Sequence, residues 1–328
     1  MPSWHCFKGA NYEKKKVVDK RYLKGIKLEE ENRVPLPTTE SFVQSNAIDA
    51  LPSLEAVGVM LNVQVGALAA VRKVGPSLVT GAECMANAIR KNNSIIYAAA
   101  GSSGLMALAD ACELPGTFGL SPDLIKIFMA GGIPVDGHMP GGTEDDAVAA
   151  QEVAQSFRCG DVVLVLSASG TTPYTVQVAH AAKGRGATTI GIANNNDTEL
   201  LQAVDLAICL ETPAEAIAGS TRMGAGTAQK VALNIMSSLM GAKLGHVYQG
   251  MMVNVVADNA KLIERAARIV STIAVVSERN AKGALQQTDG HVKPAILVAK
   301  GLSISAAKSL LETNDGHIGS CLQSLSTN

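Results

Sequence analysis

The stretch Ser94–Glu113, SIIYAAAGSSGLMALADACE, constrains the fold of this chain more than any other. Its apolar run Ile95–Ala100 is too short for an ordinary helix and is bounded by turn residues. It reads as a buried strand of a parallel sheet. The turn Gly101-Ser102-Ser103-Gly104 follows, and then an Ala/Leu/Met-rich run that reads as a helix. Strand, Gly/Ser turn and helix together present free backbone N–H groups and hydroxyls to an anion. No Gly-Lys-Ser/Thr follows the turn, and the GxGxxG spacing is absent, so neither a P-loop nor a dinucleotide fingerprint is present. Serines without a lysine suit a phosphate held by neutral donors. The alternative is that Ser102 and Ser103 merely cap a helix.

The turn type is duplicated. Asp161–Ser167 reads as another strand, and Ser167-Ala168-Ser169-Gly170-Thr171-Thr172 follows it, with Pro173 where a first helical turn tolerates proline. Further strands are expected at 124–130, 188–193 and 206–210, giving a βαβαβ succession with right-handed crossovers. Ligands of an open parallel sheet bind beyond the carboxyl ends of its strands. Two hydroxyl-rich turns there could close on one phosphate.

Around this frame the periodicity predicts helices. Leu54, Val57, Met60, Leu61, Val65, Leu68 and Val71 form a helical stripe, and 81–91 continues helically. Leu114-Pro115-Gly116 is expected to break the helix after Glu113. Gly141–Asp146 is expected to cap a helix running to about 157. Long helical patterns cover 225–243 and 246–270, and breaks near 289, 301 and 314 suggest three short helices in the tail. No repeat with a period of 20–50 residues is evident.

Composition excludes several classes. A net charge of −1 gives no electrostatic case for nucleic acid or an anionic membrane, and 3% aromatics leave few stacking platforms. No apolar run of membrane-spanning length and no signal peptide is recognised. The six cysteines lack CxxC pairs and read as reduced, buried hydrophobes of a cytoplasmic protein; the histidines show no metal-ligand spacing. No cofactor or metal is expected. Residues 1–36, charged and ending in Pro-x-Pro, read as an extension that wraps a partner subunit or is partly disordered.

The pattern SxSGxT after a strand resembles the phosphosugar-binding turn of the SIS (sugar isomerase) domain. Longer strings are similar to the N-acetylmuramic acid 6-phosphate etherases of that superfamily. They are Gly101–Gly104, Asp110–Gly119, Ala130–Gly132, Thr143–Asp145, Ala168–Tyr174, Gly219–Arg222, Ala225–Lys230, Met252-Val253 and Asn259–Leu262, in order over about 95–270. The resemblance implies an SIS-type three-layer α/β sandwich around a five-stranded parallel sheet. It also implies a homodimer with shared active sites. The expected organisation is a 1–36 extension, a 37–270 phosphosugar-binding domain and a helical 271–328 subdomain. Gly101, Ser102, Ser103, Ser167, Ser169, Gly170, Thr172 and Ser220 are the expected substrate-binding residues.

By position Glu113 matches the family's proton donor and Glu144 its second essential glutamate, the base at C2. The implied reaction eliminates the lactyl ether at C3 of a 6-phosphorylated amino sugar, which needs one protonated and one ionised carboxyl. The apolar neighbours of Glu113 are expected to raise its pKa, and a helix N-terminus to hold Glu144 ionised. Without the resemblance, Glu113 reads as a surface residue and Glu144 as part of an acidic helix start. Ten residues of helix, about 15 Å, separate Ser103 from Glu113, which favours a site shared between subunits. The chain departs from the family at Leu105 and Thr171, where arginines are usual, and at Gly141 and Gly224. Lost guanidiniums bear on carboxylate recognition. An aldose–ketose isomerase and a non-catalytic phosphosugar sensor are the competing readings.

Overall fold

A computed structural model describes residues 38–41, 47–139, 141–255 and 260–326. Residues 1–36, with the expectations placed on them, lie outside the described residues. Five strands, β1 (Ile95–Ala99), β2 (Ile125–Met129), β3 (Val162–Ser167), β4 (Thr188–Ala193) and β5 (Leu206–Cys209), form one parallel sheet in the order β2-β1-β3-β4-β5. The order reverses between β1 and β3, so their carboxyl ends flank a crevice at the switch point. The two Gly/Ser turns follow these two strands.

One face of the sheet is covered by α1 (Ser53–Lys73), α2 (Gly75–Arg90), α3 (Gly101–Phe118) and α7 (Gly224–Lys243). The other is covered by α4 (Ala147–Ala154), α5 (Pro173–Gly184) and α6 (Glu199–Ala203). Burial of β1 and β3 on both faces accounts for their continuous apolar runs.

Several expectations give way to tertiary packing. α3 does not break at Leu114-Pro115-Gly116 but runs to Phe118 with Pro115 inside. Leu114 and Phe118 are anchored in the core, and the Asn254 side-chain amide donates to the Phe118 carbonyl at 2.8 Å. The segment 246–270 is not one helix. It opens with a hairpin, β6 (Val247–Tyr248) against β7 (Met251–Met252), turned by Gln249 and Gly250 at positive φ, and continues in α8 (Ala260–Ala274).

Among the described residues the breaks in the tail fall at the expected places, and each of the three divides one helix from the next. The tail thus holds four short helices where three were expected, α9 (Glu278–Gln287), α10 (Val292–Ala299), α11 (Ile304–Thr313) and α12 (Ile318–Ser326). They carry a repeat that the sequence reading missed. An offset of 26 residues relates the N-caps Ser277 and Ser303, the buried Ala281 and Ala307, and the turns Asp289-Gly290-His291 and Asp315-Gly316-His317. In each turn the Asp and Gly have positive φ, and the Gly N–H bonds back to Leu285 or Leu311 at 2.9 and 2.8 Å. Two copies of one helical hairpin thus stack, with α8 sharing their core. The expected division at 270 falls within α8.

α1 corrects two further readings. Its inward face is small, with Ala56, Ala67, Ala70 and Val71 buried, whereas Leu54, Val57, Leu61, Val65 and Leu68 of the expected stripe are exposed. It is also long and apolar enough to cross a membrane by length and composition, contrary to the sequence reading; isolated Glu55, Asn62 and Gln64 obscure the run. Among the described cysteines no disulfide forms, but Cys112 and Cys159 are exposed where burial was expected.

Candidate active site

The first turn begins α3. Gly101 takes φ +52°, and Ala100 is the N-cap without a side-chain hydrogen bond, so Ser102 and Ser103 lie inside the first helical turn and do not cap it. The amide of Gly104 already bonds to the Ala100 carbonyl at 3.0 Å. The amides before it belong to the set that a helix leaves unpaired.

The second turn is a knot of hydroxyls. Ser167 Oγ lies 3.2 Å from Ser169 Oγ and 2.9 Å from Thr172 Oγ1. The Gly170 amide donates to Ser167 Oγ at 3.0 Å, and the Thr171 amide to Ser169 Oγ at 3.2 Å. Gly170 has φ +75°, and a Cβ there would strike Thr198. The turn depends on glycine at this position.

Between the turns lies an open cavity of about 170 Å³ lined by Gly101, Ser102, Ser103, Ser167, Ser169 and Thr172, together with Glu144 and Thr221. Most of the expected binding residues therefore meet. Gly170 supports the turn through its amide, and Ser220 stands next to the lining residue Thr221. A larger cavity of about 280 Å³ lies elsewhere, between α1 and 214–218, and lacks the two turns.

Glu144 reaches the cavity by a route other than the expected one. Gly141–Asp145 is a 3-10 turn, and Asp146 is the N-cap of α4, accepting from the amides of Val148 and Ala149 at 3.0 and 2.9 Å. Helix-dipole stabilisation therefore falls to Asp146. Burial, and secondly the like charge of Asp145, pushes the Glu144 carboxyl above the usual glutamate range.

Glu113 is not in this cavity. It is exposed near the far end of α3, on a second cavity of about 200 Å³ that it shares with Asp110, Thr117, Asn234, Ser237 and Ser238. Leu114 and Phe118 also line that cavity, but Glu113 itself is exposed, so the expected burial of its carboxyl is absent. The buried carboxyl there is Asp110, one turn earlier, which accepts from Tyr97 Oη (2.7 Å), Asn234 Nδ2 (2.6 Å) and Ser237 Oγ (2.9 Å). Burial raises the pKa of Asp110 despite these three donors.

Sequence reasoning missed the supports behind the turns. Asn195 accepts from the Thr38 amide and hydroxyl and donates to Thr39 Oγ1 and the Ala168 carbonyl. Buried Glu215 accepts from the Gly224 and Ala225 amides at 2.9 and 2.8 Å, capping α7. Polar residues directly after a strand, such as Asn194-Asn195 after β4, were the available signal. Among the described residues no His/Cys/Asp/Glu group is arranged to hold a metal ion.

Residues 67–194 match the SIS domain family. Over 273 residues the chain is 37% identical to an N-acetylmuramic acid 6-phosphate etherase of Deinococcus radiodurans, covering 82% of this chain and 90% of that protein. It is 36% identical over 283 residues to the protein of the same name from Salmonella choleraesuis, covering 85% and 95%. Among solved structures, a phosphoheptose isomerase from Neisseria gonorrhoeae superposes with a TM-score of 0.45 at 17% identity, covering 58% of this chain and all of that one.

Proposed function

This chain belongs to the family of N-acetylmuramic acid 6-phosphate etherases, and we propose that it is a carbon–oxygen lyase releasing lactate from the C3 ether of that phosphosugar. The observation that carries the proposal is the cavity in which Glu144 faces two hydroxyl-rich turns. The phosphate is held by Ser102, Ser103, Ser167, Ser169 and Thr172, with neutral donors matching its oxygens. Glu144 takes the C2 proton of the opened aldehyde. Its raised carboxyl pKa makes it a stronger base than an ordinary glutamate, at the cost of needing higher pH to be ionised. Glu113 delivers a proton to the departing lactyl oxygen, and water then adds.

These roles place Glu113 and Glu144 at one substrate although they line separate cavities of the chain. The proposal therefore includes a homodimer in which Glu113 of one copy completes the site of the other. The exposed Leu54, Val57, Leu61, Val65 and Leu68 on α1 support it, because a second copy would cover this apolar face. The proposal includes a cytoplasmic location.

Incubation with N-acetylmuramic acid 6-phosphate in deuterated buffer tests the reading. Lactate release with C2 exchange is expected. Ketose formation without lactate would establish an isomerase, and binding without turnover a sensor. Sedimentation of Leu61→Asp against the unaltered chain tests the dimer.

A further inference from the structure

Asn195 joins three segments that are distant in sequence. Only 8% exposed, its side chain spends both polar atoms on them. Oδ1 accepts from the Thr38 amide and the Thr38 hydroxyl, each at 2.9 Å. Nδ2 donates to Thr39 Oγ1 at 3.1 Å, to the Ala168 carbonyl at 3.1 Å and to the Ser169 carbonyl at 3.4 Å. Thr39, itself 2% exposed, accepts from the Gly219 amide at 2.9 Å through its carbonyl. Ser169 forms one wall of the anion cavity, and Thr221, two residues beyond Gly219, forms another. One amide and one buried threonine therefore connect the two walls.

We propose that Asn195, acting through Thr39, is a positioning residue that sets the spacing between the Ser169 turn and the 219–221 segment, and so tunes phosphate affinity. Asn195 does not line the cavity and touches no substrate. Its orientation is fixed by the contacts themselves, since reversing the amide would set Nδ2 against the Thr38 N–H. An Ala at this position removes the acceptor of the Thr38 amide and the donor to the Thr39 hydroxyl and the Ser169 carbonyl, and leaves the Ala168 carbonyl only the Asn194 amide, loosening the tie between the turn and the 38–39 segment. Phosphate is the non-reacting end of the substrate, so its loss of grip acts on binding more than on the chemical step.

The inference rests on the reading of this cavity as the phosphate site, and the experiment separates the two. Steady-state kinetics with N-acetylmuramic acid 6-phosphate are compared for Ser169→Ala, Asn195→Ala, Thr39→Val and Thr39→Ser, with inorganic phosphate as competitor. Asn195→Ala and Thr39→Val are expected to raise KM and the phosphate inhibition constant together by about tenfold, the size of one or two lost hydrogen bonds, with a much smaller fall in kcat. Thr39→Ser, which keeps the hydroxyl, is expected to recover most of the affinity lost in Thr39→Val. Should Asn195→Ala fail to fold, the Thr39 pair decides the matter. If Ser169→Ala raises KM while Asn195→Ala and Thr39→Val leave it unchanged, the positioning role is overturned and the phosphate site stands. If Ser169→Ala itself leaves KM and phosphate inhibition unchanged, the phosphate site falls and this inference with it.

Discussion

Glu144 packs directly against Gly101: its Oε1 lies 2.6 Å from where a Cβ on residue 101 would stand. The glycine that starts α3 in a left-handed conformation is also what lets the carboxylate approach the Gly101–Gly104 turn. Gly101→Ala should therefore act twice. Left-handed strain destabilises by about 1–2 kcal/mol, readable in urea denaturation. The displaced Glu144 should lower C2 exchange in the same variant by more than that loss of folded protein explains.

Ser103→Ala and Ser169→Ala are expected to weaken phosphosugar binding by about 1.5–3 kcal/mol each, the range for hydrogen bonds to a charged group. The dephosphorylated sugar should bind almost equally to variants and parent. Calorimetry with both ligands checks this, and equal losses would make the serines purely structural.

Glu144→Gln should abolish C2 exchange with deuterium as well as lactate release. Glu113→Gln should still exchange C2 while releasing no lactate, because deprotonation precedes departure. Each rate is expected to fall by about 10²–10⁴. The opposite exchange pattern would swap the two roles.

The raised pKa of Glu144 fixes the sign of two pH effects. As a base it must be ionised, so the acid limb of kcat/KM should lie above the ordinary glutamate value of 4.5. The folded protein holds this proton more tightly than the unfolded chain, so stability from this group falls as pH rises between the unfolded and folded pKa values. Glu144→Gln should accordingly melt higher than the parent at pH 7, with the gap closing once pH drops below the unfolded value.

Val275 ends α8 at φ +57° and is 81% exposed, a strained conformation for a β-branched residue. Asn tolerates that region, so Val275→Asn is expected to stabilise by about 0.5–1 kcal/mol in thermal or urea unfolding, without change in KM.

The sequence by itself determined the sheet and the two Gly/Ser turns that end β1 and β3. Ile95–Ala99 and Val162–Ser167 could only be strands buried on both faces, and each is followed by a Gly/Ser turn whose geometry is local, set within a few residues by backbone sterics and hydroxyls. Local determinants of that kind are legible in one dimension. The 26-residue hairpin repeat was equally local but is carried by a few turn and cap positions, Ser277/Ser303 and Asp289/Asp315, too sparse to stand out before their dihedrals coincide.

The distance of Glu113 from Ser103 along α3 was legible in the sequence, whereas tertiary structure alone decided the surroundings of the carboxyls: which cavity each lines, and that Glu113 is exposed while Glu144 is partly buried. Burial of Leu114 and Phe118 carries α3 on through Pro115. Packing of small Ala67 and Ala70 against the core turns the larger side chains of α1 outward, against the usual assignment of a helix's bulkier face. Asn195 is tied to Thr38 and Thr39 by hydrogen bonds spanning more than 150 residues of chain. Periodicity and turn chemistry are properties of neighbours in sequence, whereas burial, charge environment and long-range hydrogen bonds depend on which distant segments the fold brings together.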